Sequence, residues 1–223
     1  MISILIPIYN GIEFFEESLV SVIKQTYKKW ELIVGINGHP KKSEIELKAL
    51  NIINNYNSIY NYDIKLKWYD TYGKSATLNK MVLDSKYDYI AILDVDDIWI
   101  NNKLEKQVPY LNSYDVIGTG CRYFGTANHF PNIPFGDISN FNFFHSNPVI
   151  NSSCIIKKTL AYWDEKELTG LEDYDLWLRL SKEKRKFFNI PEILVFHRLH
   201  ETSSFNNTNN NYIEELKNKW LKC

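Results

Sequence analysis

The chain has 223 residues, 44% of them hydrophobic and 15% aromatic, which excludes wholesale disorder and supports one elaborated domain with a substantial core. Its 26 Lys and Arg against 27 Asp and Glu leave a net charge of −1, which argues against a dedicated nucleic-acid binder. Three widely spaced cysteines, Cys121, Cys154 and Cys223, form neither a zinc pattern nor a disulfide framework, so a reducing compartment fits.

The apolar start, Met1 to Tyr9, is short, interrupted by Pro7 and without a basic leader, so it is not read as a signal peptide. No stretch approaches the roughly 18 apolar residues of a membrane span. A cytoplasmic protein is the default expectation, and the sequons at Asn151 and Asn206 then carry little meaning.

In chain order, Ile2 to Ile8 is a β-branched run that reads as a buried strand. Phe15, Leu19, Val22 and Ile23 follow at helical spacing. Trp30 to Ile36 is a second strand, closed by the turn Asn37-Gly38-His39-Pro40. Ser43 caps a helix carrying Ile45, Ala49, Ile53 and Tyr56. Ile64 to Tyr69 is a third strand, and Ser75 opens a helix with Leu78, Met81 and Val82. Tyr89 to Leu93 is a fourth strand running into Asp94-Val95-Asp96-Asp97. Strands alternating with helices predict a mainly parallel sheet, and unbroken apolar strands predict helices on both of its faces.

The second half is less regular. Val116 to Gly120 and Val149 to Lys157 read as strands, Tyr174 to Lys182 as a helix, and Ile193 to His197 as a last strand. Thr202 to Asn211 reads as a mobile loop before a terminal helix, Tyr212 to Cys223. The expected division is one domain over 1–204, with halves at 1–100 and 101–204, and a tail over 205–223.

Ligands of an open parallel sheet bind beyond the carboxyl ends of its strands. Three polar clusters fall there: Tyr9-Asn10, Asn37-Gly38 and the acidic run from Asp94. Three carboxylates in four residues repel one another unless a cation or donors neutralise them. Mg²⁺ and Mn²⁺ suit such a site, held by one or two carboxylates and substrate phosphates. A helix N-cap over Ile98 would account for Asp97 alone. Glu172-Asp173-Tyr174-Asp175 is a second acidic cluster, able to supply a general base or simply to sit in a helix's first turn. His197-Arg198-Leu199-His200 offers phosphate or metal contacts.

Ile-Pro-Ile-Tyr-Asn near the start, Ser21 to Tyr27, Gly73-Lys74-Ser75-Ala76-Thr77-Leu78-Asn79, Leu93 to Trp99, Trp163-Asp164-Glu165, Glu172 to Arg179 and Arg198-Leu199-His200 occur in that order. Together they resemble the family 2 glycosyltransferases over roughly residues 1 to 204. The resemblance implies an α/β GT-A fold: a Rossmann-like, mainly parallel sheet flanked by helices, with a smaller acceptor-side half. It implies inverting transfer from a nucleotide-activated sugar, usually a UDP-sugar, with Mn²⁺ or Mg²⁺. Carried over by residue, Pro7, Tyr9, Asn10 and Asn37 would line the base and ribose pocket. Lys74, Asn79 and Asp94 would bind the donor, and Arg198 would face its phosphates. Asp96 would ligate the metal, supported by Asp97 and His200. Asp173 would be the catalytic base, with Glu172 beside it.

One departure is Ile36-Asn37-Gly38-His39 where the family usually has Asp-Asp-Gly-Ser. Asn37 retains a carbonyl acceptor for the uracil N3–H and loses the charge assistance. Two other functions stay open on the residues: a sugar-phosphate nucleotidyltransferase and a degenerate nucleotide- or glycan-binding module. The acceptor would be a glycan, a lipid-linked molecule or a protein, met by the segment from Tyr123 to Asn147, where Phe135, Phe141, Phe143 and Phe144 could stack on sugars or pack a loop. In the tail, Ile213, Leu216, Trp220 and Leu221 form an apolar stripe, with Lys217, Lys219 and Lys222 on the rest. The helix is expected to dock on the domain or on a second subunit, in preference to a weak contact with an anionic membrane.

Overall fold

The computed structural model describes residues 1–60, 62–166, 170–201 and 210–221. The predicted loop over 202–211 and the sequon at Asn206 therefore lie mostly outside the described residues, as does Cys223. The first half follows the sequence reading closely. Strand β1 (Ile2–Ile8) leads to helix α1 (Phe15–Ile23), β2 (Trp30–Asn37), α2 (Glu44–Tyr60), β3 (Ile64–Tyr69), α3 (Lys74–Asp84) and β4 (Tyr89–Ile92). The second half holds β5 (Ile98–Trp99), α4 (Lys103–Gln107), β6 (Val116–Gly125), β7 (Gly136–Asp137) and β8 (Ile155–Lys157). Helix α5 (Glu172–Lys182), β9 (Phe187–Leu199) and α6 (Asn210–Leu221) complete it.

Among the described residues, one sheet takes the order β3-β2-β1-β4-β8-β6-β9-β5, with β7 paired to β9. Strands β3, β2, β1 and β4 are mutually parallel, as expected. The second half joins antiparallel through β4–β8 and β8–β6, then returns to parallel pairing at β6–β9. Both faces of the sheet are covered. Ile2, Ile4, Ile6 and Ile8 pack with α1 and α2 in one core, while Leu5 joins Met81 of α3 and Trp177 of α5 in the other. At roughly 25 cal/mol per Å² of apolar area removed from water, these two layers are the main source of stability.

Three local expectations change. Asp97 does not cap a helix: Ile98–Trp99 is a strand paired with Phe196 and Val195 of β9. The expected strand over Val149 to Lys157 shrinks to β8, because Asn151–Ser153 form a 3₁₀ turn. That turn is held by Asp94, whose backbone N–H donates to Ser152 Oγ at 3.1 Å and whose carboxylate accepts from Asn151 Nδ2 at 3.1 Å. Helix α3 begins at Lys74, one residue before the expected start, with Gly73 at its cap. Among the described residues no helix is long and apolar enough to cross a membrane.

Candidate active site

Parallel strands that end at the same level leave a crevice at their carboxyl ends. Here that crevice is a cavity of about 1190 Å³. Pro7, Tyr9 and Asn10 enter it from the end of β1, and Asn37 from the end of β2. The Tyr9 ring lies 5.3 Å from the His39 ring and 5.9 Å from that of Tyr72, centroid to centroid. Gly38 makes this possible: at φ +69° it suits glycine, and a Cβ there would stand 2.6 Å from the Tyr9 ring.

The acidic run after β4 sends its three carboxylates to three places. Asp94 accepts from Asn151 and forms an ion pair with Lys74, the first residue of α3. Burial would raise the Asp94 carboxyl, but Lys74 and the Asn151 amide outweigh it and hold it below its ordinary value. Burial would likewise lower the Lys74 ammonium, and Asp94 with Glu172 holds it above its ordinary value. Asp96 lines the cavity with its Oδ2 2.9 Å from His200 Nε2. Its carboxyl is pushed up by burial and by the charges of Asp97 and Asp94.

Asp97 is fully buried and does not reach the cavity. Its Oδ2 lies 2.9 Å from His197 Nδ1 and its Oδ1 accepts the Arg198 backbone N–H at 2.9 Å. It ties the acidic turn to β9. Both its oxygens have protein partners, so the structure does not present Asp97 to the cavity as the expected metal ligand.

Arg198 departs from expectation. Its guanidinium donates from Nε to the Asp96 carbonyl at 3.0 Å and from one terminal nitrogen to Glu17 at 2.6 Å. It is sandwiched 4.5 Å from the Phe14 ring centroid and 4.4 Å from that of Phe124. It does not line the cavity, because these contacts take it behind the acidic turn. Asn79 is also turned away. Its Nδ2 donates to the Trp163 carbonyl at 2.9 Å and to Glu165 at 3.0 Å, and its Oδ1 accepts the Trp163 N–H. It fastens α3 to a segment whose Trp163 and Glu165 do line the cavity.

The second acid cluster stands across the cavity. Glu172 and Asp173 open α5 and face in. Asp173 Oδ2 accepts from Asn147 Nδ2 at 3.2 Å and Oδ1 from the Tyr174 N–H at 2.8 Å. Burial pushes its carboxyl up to about 6, against the pull of Lys74 and with help from Glu172. The long segment before it sends His145, Ser146 and Asn147 into the cavity, and Tyr123 at its start lines it too, while Phe135, Phe141, Phe143 and Phe144 do not. Phe143 is buried in the core and Phe141 and Phe144 pack against it, which favours the loop-packing reading.

Asn147, Asn151 and Ser152 carry no motif that marks them as site residues, and His197, part of the predicted basic cluster, pairs with Asp97. The contacts that matter run between positions far apart in the chain, such as Asn151 to Asp94 across 57 positions, and no local spacing signals them.

The structure of S. aureus TarS in complex with UDP-GlcNAc matches with a TM-score of 0.75 at 15% identity, covering 99% of this chain and 66% of that one. The mannosyltransferase PcManGT of Pyrobaculum calidifontis, in complex with GDP-Man and Mn²⁺, matches with a TM-score of 0.69 at 13% identity, over 91% of this chain and 58% of that one. This chain thus spans two thirds or less of those solved chains, and the fold it shares with them is GT-A. Residues 3–159 match the family described as glycosyl transferase family 2, and the chain belongs to that family. The O-antigen biosynthesis glycosyltransferase WbnJ of Escherichia coli is 29% identical over 215 residues, or 92% of this chain and 82% of that relative.

Proposed function

We propose that this transferase moves a sugar from a nucleotide-sugar, a UDP-sugar in first place, to an acceptor hydroxyl with inversion and with a divalent cation. The observation that carries the reading is one cavity lined by Asp96 and His200 together with Asp173.

The residues fit a hard divalent cation. Asp96 and His200 bring one carboxylate and one imidazole to one point, and the crowding of Asp94, Asp96 and Asp97 is relieved by positive charge. Among the described residues no set of three His, Cys, Asp or Glu side chains forms a preformed metal cage. Diphosphate oxygens and water would complete the coordination, a common arrangement for Mg²⁺. When bound, the cation supplies charge stabilisation to the departing nucleoside diphosphate.

The chain's own groups would do the rest. Tyr9, Tyr72 and Asn37 form the base end, where Asn37 accepts or donates as an uncharged amide. Lys74 holds Asp94 ionised beside the ribose and phosphates. Asp173 takes the acceptor hydroxyl's proton as it attacks the anomeric carbon. A carboxyl near pH 6 is mostly ionised at neutral pH yet more basic than an exposed aspartate, which suits that task. One direct displacement inverts the anomeric centre and needs no protein nucleophile. The nucleotidyltransferase alternative would want a basic, glycine-rich phosphate loop after β1, where Pro7-Ile8-Tyr9-Asn10 stands. Turnover of UDP-hexoses with Mn²⁺, followed as released UDP, tests the proposal. Absence of release across UDP-, GDP- and TDP-sugars, with intact folding, would overturn it in favour of a binding module.

A further inference from the structure

The acids Asp164 and Asp175 belong to the motifs of the sequence, yet neither lines the cavity. Asp175 is 3% exposed and sits two residues beyond Asp173 on α5. Helical geometry turns it about 200° away from its neighbour. It faces α6. Lys219 Nζ donates to Asp175 at 2.8 Å and to Asp164 at 2.9 Å, and Trp220 Nε1 donates to Asp175 at 2.7 Å. Leu216, at 1% exposure, completes the seat. Helix α6 is thereby clasped to α5, the helix that opens with Glu172 and Asp173, and its Ile213, Glu214 and Lys217 line the same cavity as those two acids.

From this placement we infer that α6 is the acceptor-side wall of the cavity, that Glu214 and Lys217 are specificity-determining residues for an uncharged saccharide acceptor, and that Asp175 is the positioning residue that holds them there. The inference rests on the glycosyltransferase reading of the cavity. Lys217 Nζ and Glu214 Oε1 lie 3.6 Å apart, one turn apart on the helix. Their charges offset each other, so the wall offers little to a phosphate or a carboxylate. A carboxylate that accepts and an ammonium that donates, at this spacing, match two neighbouring sugar hydroxyls. Ile213 beside them provides an apolar contact for the C–H face of a ring. The acceptor is chosen over the donor because α6 is clasped to α5, the helix that carries the proposed base.

The test is capture of an array of neutral and anionic mono- and oligosaccharides by the full chain, with UDP and Mn²⁺ present. Wild type is expected to hold neutral saccharides. Glu214→Ala and Lys217→Ala should each weaken capture about tenfold or more. The paired reversal Glu214→Lys with Lys217→Glu should leave the melting temperature near that of wild type, because the ion pair is restored, yet change which saccharides are captured, a change that a merely structural role would not give. Asp175→Asn should lower both capture and melting temperature. No capture by wild type, equal capture by the alanine variants at unchanged melting temperature, or preferential capture of phosphorylated saccharides would each overturn the inference. A parallel titration of wild type with UDP and Mn²⁺ separates the two readings. Saccharide capture that depends on Glu214 and Lys217 without UDP binding would sink the donor reading and leave this pair standing as a sugar site.

Discussion

His197 Nδ1 lies 2.9 Å from Asp97 Oδ2, across 100 positions of sequence, and this contact ties the acidic turn after β4 to the last strand of the sheet. Burial would lower the imidazole, but Asp97, with Asp94 and Asp96, holds it up at about 9. A histidine raised above its ordinary value of about 6.5 stabilises the fold fully below that pH. The contribution is lost as pH rises through about 9. The melting temperature of wild type should therefore fall between pH 6.5 and 9.5 by more than that of His197→Gln. Asp97 is fully buried, so Asp97→Asn, which leaves a buried imidazolium with a weaker partner, should cost about 3 kcal/mol in denaturant unfolding at pH 7. Parallel pH profiles of wild type and His197→Gln would refute the pairing.

Asp173→Asn should keep UDP affinity and lose transfer by about 10²–10⁴-fold in kcat. The wild-type rate should rise with pH through about 6, since the base must be ionised. Stability runs the other way. A carboxyl raised in the folded state binds more protons there than in the unfolded chain, so stability falls as pH climbs from about 4 to about 6. The unfolding free energy of Asp173→Asn relative to wild type should improve from pH 4 to pH 7.5, by on the order of 1–2 kcal/mol after allowance for solvent screening. A variant that turns over within tenfold of wild type shifts the role to Glu172. Asp175 is no substitute, because it faces α6.

Asp96→Ala should abolish the Mn²⁺-dependent part of UDP binding. Its carboxyl is disfavoured by burial and by two neighbouring acids, so the metal-free variant should melt no lower than wild type. Calorimetric titration of UDP with and without Mn²⁺ decides it, and unchanged affinity would reject Asp96 as a ligand.

Arg198 acts on the acidic turn from behind. Arg198→Lys forfeits the Nε bond to the Asp96 carbonyl and the stacking on Phe14 and Phe124, and should cost about 1–3 kcal/mol. Phe124→Leu should lower stability too, and the double variant should lose less than the sum of the singles by about 0.5 kcal/mol or more. A strictly additive double mutant, with UDP affinity lost only in Arg198→Lys, would return Arg198 to the phosphates.

Ending the chain at Asn209 should lower the melting temperature by several degrees, because Leu216 leaves its seat and Asp175 loses both Lys219 and Trp220. Sedimentation with anionic liposomes should show no salt-sensitive, tail-dependent binding, since Lys219 is engaged with two aspartates. Liposome binding lost on truncation would instead favour a membrane role for the helix.

The first half of the fold was legible in the sequence because its signals are local. Runs such as Ile2 to Ile8 and Trp30 to Ile36 are too apolar for an exposed strand, and the helices between them repeat their apolar residues every three or four positions. The second half was less legible. β5 is two residues long and is a strand only because β9 lies beside it, and Asn151–Ser153 turn because Asp94 binds them. Neither partner is near in the chain.

The same division runs through the site. The sequence by itself determined that acids gather after β4 and at the start of α5, since motif spacing and strand ends are properties of the chain. It also determined that an apolar stripe at the carboxyl end would need cover. Tertiary structure decided which acid serves which purpose. Asp94, Asp96 and Asp97 are consecutive or nearly so, but one meets Lys74, one His200 and one His197. Asp173 and Asp175 share a helix, and only Asp173 faces the cavity. The physical reason is that a carboxylate's role is set by what lies within about 4 Å of it and by how much water it keeps, and folding brings those neighbours from everywhere in the chain.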